Sequence, residues 1–444
     1  MLKRRDFIIR AAAMAALPLV SRNVIAGSNS EVNIPFSKID IARGAALNAV
    51  SDEAFWQQVR QQYELPANVI QLENGNWGVM TKSVLQSYIN HTQRVNQYSS
   101  LYSRREFMQE FKPIQQRVAS MLGCGADEIA FARGATEVLN NLITRYRKLT
   151  PSDAVMYADT DYDSMQAAMR QRGNPVVKLN LPERASADEY VAFYRSALAQ
   201  HPKVKLLLLT HLSHRHGLVL PIKQIVAMAR EYDVDCIVDA AHSWGQINFN
   251  VADLGADFVG FNLHKWMGAP IGVGVMYIKR SRLTDIAPAI GDTAEIAARS
   301  QTNAKTVAEV GTTYNRIHTG TFNYAAWLTV PTALDFHDQI GADLKAARLK
   351  YLRDHWVSSM NDVPQVQLVI GTEPDTYAGI CSFRVQGETS VAGNKAIAAR
   401  LLQQHKIFSV HRSGLAGGAC VRITPALFNT TTEMDSLVQA LKTF

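Results

Sequence analysis

Four cysteines in 444 residues leave little room for a disulfide framework. Cys236 and Cys381 lie inside apolar, strand-like runs, where a free thiol packs as a small hydrophobe. Charge of one sign is scarce as well. The formal net charge is +7, but Lys3, Arg4, Arg5, Arg10 and Arg22 against Asp6 place +4 of it at the N-terminus. The remaining +3 is too weak a field to attract a polyanion, so no nucleic-acid partner is expected. Past the leader no run reaches the roughly 20 apolar residues of a spanning helix, and no stable membrane anchor is expected. Gly272-x-Gly274 lacks the third glycine and the following acid of a dinucleotide fingerprint. His211, His214 and His216 lie close together, but His-x-x-His-x-His lacks helical i,i+4 spacing and a nearby acid or cysteine ligand. No metal site is expected, and a metal-binding protein without an organic cofactor is the minor alternative.

A composition of 47% hydrophobic and 19% charged residues suits a soluble globular chain with one large core and a satellite, or two or three domains. The N-terminus reads as a targeting segment. Lys3-Arg4-Arg5-Asp6-Phe7-Ile8 is a twin-arginine motif, an alanine-rich apolar run follows, and Val24-Ile25-Ala26 supplies small-residue cleavage logic after Ala26. Residues 1–26 are therefore expected to be a signal peptide, read by the twin-arginine translocation machinery, with a periplasmic mature protein. That route carries folded proteins, which favours reduced thiols. Residues 27–70 are expected to form a polar arm and then a helix capped by Ser51, with Asp52 and Glu53 in its first turn.

The chemistry concentrates between residues 236 and 280. Cys236-Ile237-Val238 ends in Asp239, as a buried parallel strand with an acid at its carboxyl tip would. Phe258-Val259-Gly260-Phe261 then delivers Asn262, His264 and Lys265, and Gly274 to Ile278 leads away. Open α/β sheets place ligands at such tips. A lysine and a carboxylate 26 residues apart, facing one pocket, suit pyridoxal 5′-phosphate (PLP). That cofactor needs an amine for a Schiff base and an acid opposite the pyridine nitrogen.

Val238-Asp239-Ala240-Ala241-His242-Ser243-Trp244-Gly245 and His264-Lys265-Trp266 resemble the class V aminotransferase family of PLP enzymes, which includes cysteine desulfurases, kynureninases and isopenicillin N epimerase-like proteins. The resemblance runs from about Phe55 to the C-terminus. It implies an α/β, fold-type I PLP-dependent transferase. A large PLP-binding domain (71–330) would carry a mostly parallel seven-stranded sheet, and a smaller C-terminal α/β domain (331–444) would follow. Lys265 would hold the internal aldimine and act as the base, with Asp239 on the pyridinium nitrogen and His242 near the ring. Ala135 and Thr136, after the small-residue turn at Gly134, would form the phosphate cup with Asn262 and His264. Tyr162 would stack on the ring. His214 stands where desulfurases carry an asparagine that contacts the cofactor. His318-Thr319-Gly320-Thr321-Phe322 matches a motif that donates to the neighbouring subunit's phosphate, so Thr321 implies a homodimer.

Among substrate contacts the resemblance points to Arg422 and Arg412 as carboxylate clamps, and to Asn76 and Trp77 on the loop Glu73-Asn74-Gly75-Asn76-Trp77-Gly78. Arginine's fixed fork suits a carboxylate. The loop Gly414-Leu415-Ala416-Gly417-Gly418 is short and holds no cysteine, unlike the nucleophile-bearing loop of desulfurases. The expected activity is that of an exported aminotransferase or epimerase-like enzyme on a small-molecule or peptide-borne amine, with a PLP lyase as the alternative. Residues 281–312 read as a low-hydrophobicity insert, and a single long helix is expected from Ala325 to about Trp356.

Overall fold

The computed structural model describes residues 47–289, 312–317, 320–369 and 373–444. The expected leader, most of the arm, most of the 281–312 insert, and His318 and Thr319 lie outside the described residues. The first regular helix is Glu53–Gln61. Its cap is Asp52 rather than Ser51: the Asp52 carboxylate accepts from the amides of Ala54 and Phe55, two donors the helix leaves unpaired. Phe55, Trp56 and Val59 are buried on its inner face.

A two-residue strand, β1 (Ile70–Gln71), follows. The main sheet then comprises β2 (Ile129–Ala132), β3 (Ala154–Ala158), β4 (Val176–Leu179), β5 (Val204–Thr210), β6 (Asp235–Asp239), β7 (Phe258–Asn262) and β8 (Gly274–Ile278). Their order is β2-β8-β7-β6-β5-β3-β4, with only β8 antiparallel to its neighbours. This is the mostly parallel seven-stranded sheet the resemblance implies. Helices cover both faces, so the central strands are apolar throughout. Alternate residues still part company. Leu207, Leu209, Val238 and Val259 enter one core, while Leu206, Leu208, Ile237 and Phe258 enter the other with Val138, Leu139 and Leu142 of helix Ala135–Arg145. Gly260 lets that helix come close, since a Cβ there would lie 2.7 Å from Leu139 Cγ.

The expected long helix after Ala325 is three helices, Tyr324–Leu328, Val330–Ile340 and Ala342–Ser358. Pro331 sits in the first turn of the second, where its missing N–H costs nothing, and Gly341 breaks the chain at φ +87°. Strands β9 (Val366–Leu368), β10 (Cys381–Val385), β11 (Ile407–Phe408), β12 (Val410–Arg412) and β13 (Cys420–Ile423) complete the fold. Four of them form a smaller antiparallel sheet, β12-β13-β10-β9, over its own core with Leu401, Leu437 and Leu441. Strand β11 pairs in parallel with β1, Ile70 against Ile407. The residue after β1 is fastened just past the end of β13, where the Leu72 carbonyl accepts from the Thr424 amide at 2.9 Å. All four cysteines are free, and three are buried.

Candidate active site

Because β5, β6 and β7 run parallel, their carboxyl ends share one edge. Strand β2 reaches the same edge through two antiparallel steps across β8. A cavity of about 420 Å³ opens there, with Lys265, Asp239, Asn262, His264 and His242 among its walls.

Asp239 ends β6, is 6% exposed, and accepts from the Ala241 amide at 2.9 Å. Burial pushes its carboxyl pKa up, while that amide and the Lys265 cation pull it down. The Lys265 amine lies 3.0 Å from His242 Nε2, and the Trp266 indole N–H reaches His242 Nδ1 at 3.3 Å. An indole N–H only donates, so Nδ1 must carry the lone pair and Nε2 the proton of a neutral ring. That proton can point at Lys265 only if the lysine is a free amine. Burial, then His242's proximity to Lys265, holds the imidazole well below its ordinary pKa. Burial also brings Lys265 down to about 8, with Asp239 raising it and Arg422 and Arg412 lowering it further. Lys265 is half-buried and lines the cavity. A lysine depressed this far is a usable nucleophile and base near neutral pH.

The phosphate side takes shape at helix Ala135–Arg145. Gly134 precedes it, and Asn262 Oδ1 accepts from the Ala135 amide at 2.7 Å. Asn262 therefore fastens the helix start. Thr136 lines the cavity, and a Cβ on Gly274 would lie 2.5 Å from the Gly134 carbonyl carbon, so the turn is packed at glycine distance. His264 bonds the Val273 carbonyl through Nδ1 at 2.9 Å, and burial lowers its pKa to about 4.

Aromatic rings form one wall. Tyr162, 39% exposed, meets His214 edge-on at 5.1 Å, and His214 lies near-parallel to His242 at 6.3 Å. The three histidines after β5 take separate environments. His214 lines the cavity, His211 packs edge-on against Phe249, and His216 Nδ1 bonds Ser213 Oγ. Among the described residues no group of three His, Cys, Asp or Glu side chains could hold a metal.

Asn76, Arg412 and Arg422 also line the cavity, whereas Trp77 is 52% exposed and stands outside it. Thr321 is exposed and does not line this chain's cavity. The loop at 75–78 rests on the lysine segment, with Gly78 N–H donating to the His264 carbonyl at 2.9 Å. Arg422 is not free to meet a ligand alone. Its Nη2 donates to both oxygens of Glu73, at 2.6 and 2.7 Å, and its Nη1 to the His214 carbonyl at 2.6 Å. Sequence reading missed Glu73. The only signal was an acid directly after the apolar Ile70-Gln71-Leu72, and its partner lies 349 residues on. It also missed Trp266 as the tautomer-setting donor, and Asp161, a buried carboxyl near Asp239 that accepts from Thr210 at 2.6 Å and is raised to about 7, chiefly by burial.

The donor set fits PLP. A depressed lysine amine can take the aldehyde, and a buried carboxylate can face the pyridine nitrogen. The packed glycine turn at a helix N-terminus, with Thr136 beside it, suits a phosphate. A match to the aminotransferase class-V family spans residues 79–437. Isopenicillin N epimerase of Streptomyces clavuligerus is 24% identical over 400 residues, covering 88% of this chain and 98% of that protein. A probable cysteine desulfurase of Mycolicibacterium paratuberculosis is 27% identical over 343 residues, 75% of this chain but 48% of that protein. A C-DES mutant solved with glycine covalently linked to its PLP cofactor shares the fold at TM-score 0.72 and 22% identity, covering 87% of this chain and 99% of that one. Since the match takes in both sheets and every wall of the cavity except the Gly75–Asn76 turn, this chain belongs to the aminotransferase class-V family, whose cofactor is PLP.

Proposed function

We propose that this protein is an exported PLP-dependent enzyme that acts on the amino group of a small-molecule or peptide-borne amine, as an aminotransferase or epimerase-like catalyst. The observation that carries this reading is the Lys265 amine, lowered to about 8 chiefly by burial and set 3.0 Å from His242 in the cavity that Asp239 also lines. PLP, when bound, supplies an electron sink that acidifies the hydrogen on the amine-bearing carbon. Lys265 attaches the cofactor and afterwards holds or moves that proton. Asp239 would keep the ring nitrogen protonated, and the turn at Gly134–Thr136 with Asn262 and His264 would seat the phosphate. The rings of Tyr162, His214 and His242 line the cavity and offer a flat aromatic surface to a bound ring.

An elimination is the second reading, favoured by relatives named for cysteine desulfuration and C–S lysis. Cys420 does not serve it as a nucleophile: it is buried against the Arg215 carbonyl, and its thiol is pushed up to about 11. Candidate amines incubated with the purified holoenzyme separate the two. The cofactor spectrum should convert to a pyridoxamine form, or the substrate should racemise. Release of ammonia with neither change would make the enzyme a lyase.

The segment Lys82–Arg105, kinked at Ser99, leaves Leu85, Ile89, Tyr98 and Leu101 exposed. Together with the exposed Thr321, these uncovered apolar side chains support a homodimer in which each Thr321 serves its partner's phosphate site. The twin-arginine motif supports a periplasmic destination. Arg4→Lys with Arg5→Lys should leave the protein cytoplasmic, folded and loaded with PLP. Wild-type levels of the double variant in the periplasm would remove the export reading.

A further inference from the structure

Two guanidiniums line the cavity, Arg412 and Arg422, and both face the carboxylate of Glu73. Glu73 is 7% exposed and Arg422 fully buried. Glu73 is fixed in place by backbone pairing. It bridges Thr424 in parallel, and the amide and side-chain nitrogen of Asn74 donate to the Thr424 hydroxyl and carbonyl, each at 2.8 Å. Gly75 admits Arg422, because a Cβ there would lie 2.6 Å from Nη2. The pair is therefore built into the frame. Arg412 differs. Its side chain is 28% exposed on β12, and its Nη2 lies 3.5 Å from Glu73 Oε1, too long for a good hydrogen bond. Its Nε is buried without a partner.

We propose that Glu73 is a positioning residue whose internal carboxylate occupies Arg422, so that the cavity takes amines bearing one carboxylate, received by Arg412, and disfavours dicarboxylates. This rests on the amine-handling reading of the cavity. The charge count supports it. Two guanidiniums, Arg412 and Arg422, against the single Glu73 carboxylate leave one positive charge beside that carboxylate. One substrate carboxylate balances it. A second would be desolvated without a counter-charge, which costs several kcal/mol in a low-dielectric site.

The test is calorimetric binding of butyrate and glutarate to holoenzyme. These probes carry one and two carboxylates and no amine, so turnover does not enter. Glu73→Gln should tighten glutarate relative to butyrate by about tenfold or more, because a charge-assisted pair becomes available at Arg422. Glu73→Asp, which keeps the charge, should retain the wild-type preference. Arg412→Ala should weaken butyrate by about tenfold or more. If Glu73→Gln does not fold, Glu73→Leu with Arg422→Met removes the whole pair in apolar form and should bind butyrate as the wild type does. An unchanged glutarate-to-butyrate ratio in Glu73→Gln, undiminished butyrate binding in Arg412→Ala, or lost butyrate binding in the double variant would each overturn the proposal. Failure of the enzymatic reading would show instead as PLP attached elsewhere than Lys265, with the carboxylate preference untouched.

Discussion

Lys265→Ala is expected to lower turnover by more than about 10⁴-fold, beyond the 10²–10⁴ that one positioned general base contributes. The excess arises because a single amine both anchors the cofactor and handles the proton. Folding should survive. The amine's pKa falls from 10.5 to about 8 in the folded state, so its charged form costs at most about 3 kcal/mol. That penalty is complete below pH 8 and fades as pH rises toward 10.5, where the unfolded chain also gives up its proton. Losing the amine relieves the penalty at pH 7, while losing three packed methylenes at about 0.8 kcal/mol each nearly cancels the gain. The melting temperature at pH 7 should thus move by only a few degrees. Borohydride reduction followed by peptide mass mapping gives the second check. Wild-type protein should carry reduced PLP on Lys265, and the variant should carry none. Turnover within tenfold of wild type, or a cofactor mapped to another lysine, would dismantle the assignment of the site.

Asp239→Ala should lower turnover by about 10²–10⁴-fold, with PLP still attached to Lys265. The carboxylate's task is to hold the ring nitrogen protonated, which attachment does not need. The charge logic adds a second signature of opposite sense. Asp239 is the principal group raising the Lys265 pKa. Its removal should carry that pKa below about 8 and let PLP attach at lower pH than in wild type. The Ala241 amide would lose its acceptor, at about 1–3 kcal/mol, so Asp239→Asn is the companion that keeps an oxygen in place. Slow turnover combined with attachment shifted to lower pH is the expected pair of results. Attachment shifted to higher pH would show that Asp239 does not face the lysine electrostatically.

Much of the catalytic side was legible in the chain because it sits where apolar runs stop. A buried parallel strand needs continuous apolar residues, so a carboxylate at Asp239 or an amide at Asn262 stands out at its tip. The C-terminal part was legible only as the smaller α/β domain that the resemblance implies. The break at Gly341 was not, since the apolar spacing on either side of it continues as one helix would. Nor was the cap at Asp52, where Ser51 beside it is an equally good residue type and only backbone geometry decides. The recognition side was the least legible. Glu73 and Arg422 form one buried unit from opposite ends of the chain. The use of Trp266 depends on how an indole meets one nitrogen of a ring 24 residues away.

The pairing of β1 with β11 also sets an order of assembly during synthesis. All seven strands of the main sheet, with Lys265 and Asp239 at their tips, have left the ribosome's decoding site by residue 278. Glu73 must wait for Arg412 and Arg422, and β1 for Ile407, before either has a partner. Contacts of such long sequence separation close late and slowly. A growing chain can therefore own its chemistry long before it owns its selectivity. A protein cut short after helix Val391–His405 would keep the lysine and the acid, yet lack Arg412 and Arg422 and leave Glu73 without either partner.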